Sequence, residues 1–299
     1  MDKYNTRATI RNVSFLSTLI TTTKDGKKRP SIRFWRIFTI VLVHLLFVLS
    51  YRVDIQILEG DISASRIFGF HLADAFMSLQ VFLATHEIHV NLIIGSLSIL
   101  AFYIIFGGRG FCSWICPYSL ISEIAEKIHE NLRAKKIVKP RVFDTKWRYV
   151  FTILFLTLSF ASASLTFEIF NVVGIFSRFI IYGYFHAIWF VVAMLMVEIF
   201  FSRRAWCRYV CPIGATYSVL AKPNAIKVSW DKEKCDHCLV CTDVCLVPHV
   251  LFMTKKGAKL DESKNIFRIA GADCTLCGRC IDVCHQDALK FDNGFKKLI

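Results

Sequence analysis

Negative charge is scarce in this 299-residue chain: 23 Asp and Glu stand against 37 Lys and Arg, a formal net charge of +14. Charged residues of either sign reach only 20%, while hydrophobic ones reach 55% and aromatic ones 14%, and mean hydropathy is positive. This excludes an ordinary soluble domain of this length and leads to the expectation of a membrane core. The first 33 residues lack an apolar stretch and a small-residue cleavage site, so no removable export signal is expected and the N-terminus is expected to stay inside. A disulfide framework is missing too. Twelve cysteines are present, but eight crowd into the last 65 residues at metal-ligand spacings, which fits thiolates in a reducing compartment.

Long apolar runs are what the chain has in their place. A bilayer core of ~30 Å needs about 20 mostly apolar helical residues. Four segments meet that length, Phe34 to Val53, His89 to Gly108, Tyr149 to Phe167 and Tyr184 to Ser202, with Trp35, Tyr51, Tyr149, Tyr184 and Trp189 near their ends, where aromatic belts sit. Lys and Arg number 8 before the first span, 1 in the first loop (Arg66), 9 from Arg109 to Arg148, 1 in the third loop (Arg178) and 16 after Ser202. Under the positive-inside rule the N-terminus, the middle loop and the C-terminal third are cytoplasmic. The same asymmetry accounts for the basic charge, so no nucleic-acid partner is expected. Two further apolar stretches, Phe68 to Thr85 and Glu168 to Gly183, fall in the outward loops and read as segments on the outer membrane surface, the first as an interfacial amphipathic helix.

One phrase occurs twice, at the inner ends of the second and fourth spans: Gly110-Phe111-Cys112-Ser113-Trp114-Ile115-Cys116-Pro117 and Ala205-Trp206-Cys207-Arg208-Tyr209-Val210-Cys211-Pro212. Each follows a basic boundary, Arg109 or Arg203 and Arg204. Two helix pairs ending in the same CxxxCP phrase predict a duplicated 2+2 bundle. Positions i and i+4 share a helix face, so Cys112 with Cys116 and Cys207 with Cys211 form a possible redox or metal site, unless they are buried small hydrophobes.

The C-terminal third reads Cys235-x-x-Cys238-x-x-Cys241-x-x-x-Cys245 and Cys274-x-x-Cys277-x-x-Cys280-x-x-x-Cys284. In two-cluster ferredoxins the fourth cysteine of each run ligates the other cluster. Two [4Fe–4S] clusters are therefore expected, one on Cys235, Cys238, Cys241 and Cys284 and one on Cys274, Cys277, Cys280 and Cys245. A structural zinc site has no use for four cysteines in each run. Leu246 and His285 stand where a proline is usual, and His237, His249 and His285 are expected to play supporting or surface roles. The expected architecture is thus a basic cytoplasmic segment (1–33), a membrane all-α core of four transmembrane helices carrying the 2+2 repeat (34–224), and a small cytoplasmic α+β two-cluster ferredoxin domain (225–299).

With these motifs in hand, the chain resembles the NapH/MauN family of ferredoxin-type membrane proteins across nearly its whole length. The resemblance rests on the four spans, both CxxxCP phrases, Pro248-His249-Val250-Leu251, Asp273-Cys274 through Gly278-Arg279-Cys280 to Asp282-Val283-Cys284, and Asp74 with Leu79-Gln80. It implies a subunit of a quinol dehydrogenase in the bacterial inner membrane. Electrons would pass from the quinone pool toward a periplasmic ferredoxin-type or cytochrome c-type partner and on to a reductase, with nitrate as the expected acceptor. The N-terminal extension and Leu246 leave room for a paralogue serving nitrous oxide reductase. A competing reading is an assembly factor whose clusters reduce copper or a dithiol during maturation of a respiratory enzyme.

Quinol oxidation needs a base near the membrane edge. His86, His89, Glu168 and His186 are the outward candidates, with Glu87 beside them and Glu198 near the inner end of the fourth span. His44 sits midway along the first span without a histidine at similar depth on another helix, so no haem b is expected.

Overall fold

A computed structural model describes residues 19–22, 28–53, 58–139, 141–220, 225–258, 265–269 and 271–293. Most of the basic segment 1–33 and the expected domain boundary at 224 lie outside the described residues. Strands β1 (Ile20–Thr22) and β2 (Lys28–Pro30) pair antiparallel and lead into helix α1 (Ile32–Val53). Strands β3 (Leu58–Gly60), β4 (Ala64–Ile67) and β5 (Phe70–Ala73) are followed by α2 (Ala75–Thr85), α3 (Val90–Phe106), α4 (Gly110–Trp114) and α5 (Tyr118–Ala134). Then come α6 (Trp147–Ser162), α7 (Thr166–Phe170), α8 (Val172–Tyr182), α9 (Ile188–Phe200), a π-helical turn (Trp206–Val210) and α10 (Pro212–Leu220). Strand β6 (Ile226–Asp231), α11 (Val240–Val244), a 3₁₀ segment (Pro248–Thr254), β7 (Ile266–Arg268), α12 (Arg279–Asp282) and β8 (Leu289–Asn293) complete the described chain.

Two compact units result, and neither is a continuous stretch. One comprises residues 1–39, 103–114 and 220–299, and the other 40–102 and 115–219. The start of α1 and the first cysteine phrase are held by hydrogen bonds to the C-terminal third, which the sequence spacing does not display.

The cysteine-rich unit is built on an antiparallel sheet with β6 between β7 and β8. Alternation along β6 turns Val228 and Trp230 inward, both about 1% exposed, with Lys227 and Ser229 on the other face. Val250, Leu251, Met253, Ile269 and Leu289 close over them. Each such buried aliphatic side chain contributes roughly 1.5–3 kcal/mol relative to exposure.

In the helical unit α2 packs on α6, α5 on α9, and α8 on both α5 and α9. The internal repeat runs deeper than the cysteine phrases. An eleven-residue helix precedes each long helix: α2 is capped by buried Asp74, which accepts from the backbone N–H of Phe76 at 3.0 Å, and α8 by buried Asn171, which accepts from Val173 at 3.2 Å. Both end in a left-handed residue, His86 or Gly183, whose N–H returns to Phe82 or Phe179.

One expectation changes here, and the helices carry two others only in part. Only α1, 22 residues long, is long and apolar enough by itself to cross a membrane among the described residues, since α3, α6 and α9 have 17, 16 and 13. Phe68 to Thr85 is not one helix. Phe68 and Gly69, at φ 49° and 84°, form the two-residue turn of the β4–β5 hairpin, and helix starts only after Asp74. The stretch Glu168 to Gly183 holds α8, whose Val172, Val173, Ile175 and Ile181 are buried in the helical unit. Gly95 of α3 has a packing role as well: a Cβ there would lie 2.2 Å from the carbonyl oxygen of His71, so only glycine lets α3 pass β5 so closely.

Candidate functional site

Two cavities in the cysteine-rich unit are each surrounded by four thiols. Cys235, Cys238, Cys241 and Cys284 line one, with Trp230, Val240 and Leu289 behind them. The other is lined by Cys245, Cys274, Cys277 and Cys280, backed by Val228, Val250 and Ile269. The fourth cysteine of each run thus faces the cavity of the other run's first three.

The loops that present these thiols share an unusual backbone. His237 and Leu239 flank Cys238 at φ 56° and 63°, and Leu276 and Gly278 flank Cys277 at φ 52° and 70°. A left-handed non-glycine residue costs roughly 1–2 kcal/mol. Alternating hands turns successive N–H groups toward one point, the concavity that receives anionic groups at phosphate and iron–sulfur sites. Backbone N–H groups accordingly reach sulfur, from His237 to Cys235 (3.4 Å), Val247 to Cys245 (3.4 Å) and Ala288 to Cys284 (3.3 Å). Gly278 is required for space as well as conformation, since a Cβ would fall 2.4 Å from Ile32 Cγ2.

Burial pushes the thiol of Cys245 up to about 12, with Cys277 adding to it, and those of Cys241 and Cys274 up to about 11, where contact with the Thr254 hydroxyl and a hydrogen bond from the Leu276 N–H act in the opposite direction. Such thiols stay neutral unless a cation draws them into thiolates. A tetrahedral metal ion with ~2.3 Å metal–sulfur bonds would bring its thiolates within about 3.8 Å of one another. Four thiols around each of two cavities suit four-iron centres, each of which takes four cysteine thiolates.

Residues distant in sequence brace the second loop. Arg36, 0% exposed, donates from Nε to the carbonyl of Ser113 (3.1 Å) and from Nη1 to that of Cys277 (3.4 Å). Trp114 donates to the carbonyl of Leu276 at 3.0 Å. Arg109 reaches the Asp273 carbonyl at 3.2 Å, and Asp282 accepts from the N–H groups of Ile32 and Arg33. Motif reading missed all of these. The signal available was a charged residue, Arg36, inside an apolar run.

The three histidines are engaged by neighbours. His249 bonds Asp273 at 2.9 Å, His285 bonds Asp236 at 3.0 Å, and His237 bonds the Thr254 carbonyl at 2.9 Å. Asp236, Cys238 and His285 are the one group of three metal-capable side chains among the described residues close enough for a single ion.

Cys116, Cys207 and Cys211 belong to the helical unit, while Cys112 belongs to the cysteine-rich unit on α4. The shared helix face expected for each pair is only partly formed. Cys207 sits in the π-helical turn, and Cys211 is already extended at φ −61°, ψ 111°, as the residue before a proline tends to be. Above them Glu198 is fully buried and accepts from Ser122 Oγ at 2.6 Å and from the Trp206 N–H at 3.3 Å. Arg204, 4% exposed, bonds Glu126 at 3.0 Å and lies 3.5 Å from Glu123.

Of the acid–base candidates, His86 and His186 are exposed, and His89 is half exposed beside Glu87 at 3.9 Å. Glu168 is the interior one. Its carboxylate meets Arg178 at 3.1 Å and Asn171 at 3.1 Å and accepts from Ser63 at 3.4 Å. Burial raises its pKa, against the pull of Arg178. His44 has its Nδ1 on the carbonyl of Ile40 at 2.8 Å.

Comparison with known proteins adds a family model and relatives. A model described as a 4Fe-4S binding domain matches residues 88–140 and 182–231, the two segments holding the CxxxCP phrases, and ends before Cys235. The chain is 30% identical over 264 residues to the ferredoxin-type protein NapH of Haemophilus influenzae, covering 88% of this chain and 90% of that one. It is 31% identical over 235 residues to NapH of Escherichia coli, covering 78% and 79%. The methylamine utilization ferredoxin-type protein MauN of Methylorubrum extorquens is 29% identical over 71% of this chain and 74% of its own. No solved structure matches.

Proposed function

Because the chain belongs to the NapH family of ferredoxin-type proteins, whose role is electron transfer with 4Fe–4S binding, we propose that it is the electron-transfer subunit of a membrane quinol dehydrogenase. It carries two [4Fe–4S] clusters, one on Cys235, Cys238, Cys241 and Cys284 and one on Cys274, Cys277, Cys280 and Cys245. The observation that carries this reading is the pair of four-thiol cavities, with backbone N–H groups reaching the sulfurs of each. Such clusters supply one-electron transfer when bound. The chain's own part is to hold eight thiolates in a largely dry core, to donate N–H groups to their sulfurs, and to keep the two sets adjacent through the exchanged Cys245 and Cys284.

In this reading the protein crosses the bacterial inner membrane four times, with both termini in the cytoplasm. Support comes from the Lys and Arg asymmetry and from the apolar side chains that α1, α3, α6 and α9 leave exposed, among them Leu45, Leu97, Ile153 and Met196. At 1.5 Å per residue α3 and α6 reach about 26 and 24 Å, short of a ~30 Å core. Quinol is oxidised from the outer side, where Glu168 serves as proton acceptor, and the electrons go to a periplasmic ferredoxin-type or cytochrome c-type partner, with nitrate reduction as the end of the chain.

The test is direct. The full-length protein in native membranes, given menaquinol or ubiquinol, is expected to show reduction of both clusters by electron paramagnetic resonance. Clusters that stay oxidised with either quinol, while dithionite reduces them, overturn the quinol assignment and leave the electron carrier.

A further inference from the structure

The two cavities of the cysteine-rich unit are backed by successive inward positions of one strand, and those positions differ in chemistry. Side chains two residues apart on a strand share a face. On β6, Val228 lines the cavity that holds Cys277, and Trp230 lines the one that holds Cys238. Both are 1% exposed. Valine brings no hydrogen-bonding group to its cavity. Tryptophan brings an indole N–H, which can only donate.

That N–H is buried, and among the described residues no atom accepts it. Buried indole N–H groups ordinarily find a partner, and leaving one unmade costs the desolvation of the group. An orphan of this kind in a folded core calls for a bound group beside it. Nearby polar side chains are engaged elsewhere. Asp236 meets His285 at 3.0 Å and accepts from the Cys238 N–H at 3.2 Å, and the Thr254 hydroxyl donates to the Leu251 carbonyl at 2.9 Å. The indole itself is held in place. Its ring packs on Phe267 at 5.8 Å and on His237 at 6.1 Å, and its backbone is paired with Phe267 on one side and Leu289 on the other. What this cavity adds to its surroundings is sulfur, from four thiols and from the sulfide of the centre they fit.

We infer that the indole N–H of Trp230 donates a hydrogen bond to sulfur of the iron–sulfur centre held by Cys235, Cys238, Cys241 and Cys284, and so raises the reduction potential of that centre. The inference rests on the two-cluster reading and adds a difference between the clusters. Hydrogen bonds to sulfur and solvent exposure are among the quantities that set such a potential. Because the reduced form carries one more negative charge, a donor at its sulfur favours it over the oxidised form. Exposure acts in the same direction: the four thiols around Trp230 are all half-buried, whereas Cys245, Cys277 and Cys280 are buried. From β6 the other centre receives only the methyl groups of Val228.

The full-length protein, reconstituted with iron and sulfide, is titrated with dithionite while paramagnetic resonance follows both centres, so that quinol plays no part. Trp230→Phe keeps an aromatic ring in the core and removes the N–H. It is expected to lower the midpoint of one centre by about 59 mV, a tenfold change in its reduction equilibrium, on the scale of one hydrogen bond to a charged group, and to leave the other centre unmoved. The same shift is expected in Cys280→Ala, where the Trp230 centre alone remains. Phe267→Leu, which loosens the packing of the indole and keeps its N–H, is expected to leave both midpoints in place. Reduced wild-type protein with isotopically labelled indole nitrogen is expected to show nitrogen coupling to one centre, which Trp230→Phe abolishes. Equal midpoints in wild type and Trp230→Phe overturn the inference, as does an equal shift of both centres or the same shift in Phe267→Leu. Absence of nitrogen coupling in the wild type overturns it even where Trp230→Phe fails to bind iron. Failure of the two-cluster reading looks different, because iron and both signals would then be missing from the wild type itself, which overturns the inference as well.

Discussion

Arg109 and Arg204 each stand three residues before the first cysteine of a CxxxCP phrase, and each is 4% exposed, yet they lead the two phrases into different surroundings. Arg109 pairs with Asp273 at 3.5 Å and braces the loop before Cys274, with α-helical Gly110–Trp114 following it. Arg204 pairs with Glu126 and Glu123 of α5, and a π-helical turn follows. Repetition preserved the buried guanidinium and the thiol spacing, while the partner was free to change. The ferredoxin loops behave oppositely. Their sequences differ at both left-handed positions, His237 and Leu239 against Leu276 and Gly278, and their backbones agree. Backbone shape is kept where several atoms must converge on one point.

The largest effect should come from removing one of those convergent thiols. Cys280→Ala, in the loop that Arg109 braces, is expected to lose one cluster, about 4 iron atoms, and to lower the melting temperature sharply, read by iron analysis and thermal unfolding. Retention of full iron would break the equivalence of the two loops. Next, Arg204→Ala removes a buried cation from Glu123 and Glu126, the latter keeping Arg203 at 3.7 Å, and is expected to cost about 3–5 kcal/mol in denaturant unfolding. Arg109→Ala should cost less, about 1–2 kcal/mol, because Asp273 keeps His249, and should show itself mainly in the spectrum of the Cys274 loop. Equal losses would show that the two arginines do the same work.

A swap between the ferredoxin loops sharpens the point further. Gly278→Leu recreates the residue found at the matching position 239, but it adds a left-handed penalty and a collision with Ile32, together about 2–4 kcal/mol. Leu239→Gly should stay within about 1 kcal/mol. The smallest effect concerns pH. Glu168 has its carboxyl raised in the folded state above its ordinary 4.5, so its contribution favours folding in acid and is lost as pH rises through the folded value. Glu168→Gln should therefore flatten the stability profile above about pH 4.5, measured by denaturant titration at several pH values.

Much of the candidate site was legible in the chain. The spacing of eight cysteines sets out the same two groups that line the two cavities, because three-residue steps bend a loop around a single centre. The start and end of α1 were readable within two residues, since its apolar run is continuous. Less was readable in the outward loops. Phe68 to Ala73 has helical composition, but the Phe68-Gly69 turn and the Asp74 cap divide it, and Asp74 is fixed from far away by the Tyr217 hydroxyl at 2.8 Å. His237, His249 and His285 were expected in supporting or surface roles, but their partners, the Thr254 carbonyl, Asp273 and Asp236, could not be guessed.

The sequence by itself determined which residues are repeated and at what spacing, where basic charge accumulates, and which thiols can act together, because those are covalent and short-range properties. Tertiary structure alone decided that Arg36 and Asp282 join the beginning of the chain to the Cys274 loop, and that two equivalent arginines serve different carboxylates. Such partners lie far apart along the chain, 241 residues for Arg36 and Cys277 and 164 for Arg109 and Asp273. A buried guanidinium must find an acceptor somewhere in the fold. Only the packing around it says which one.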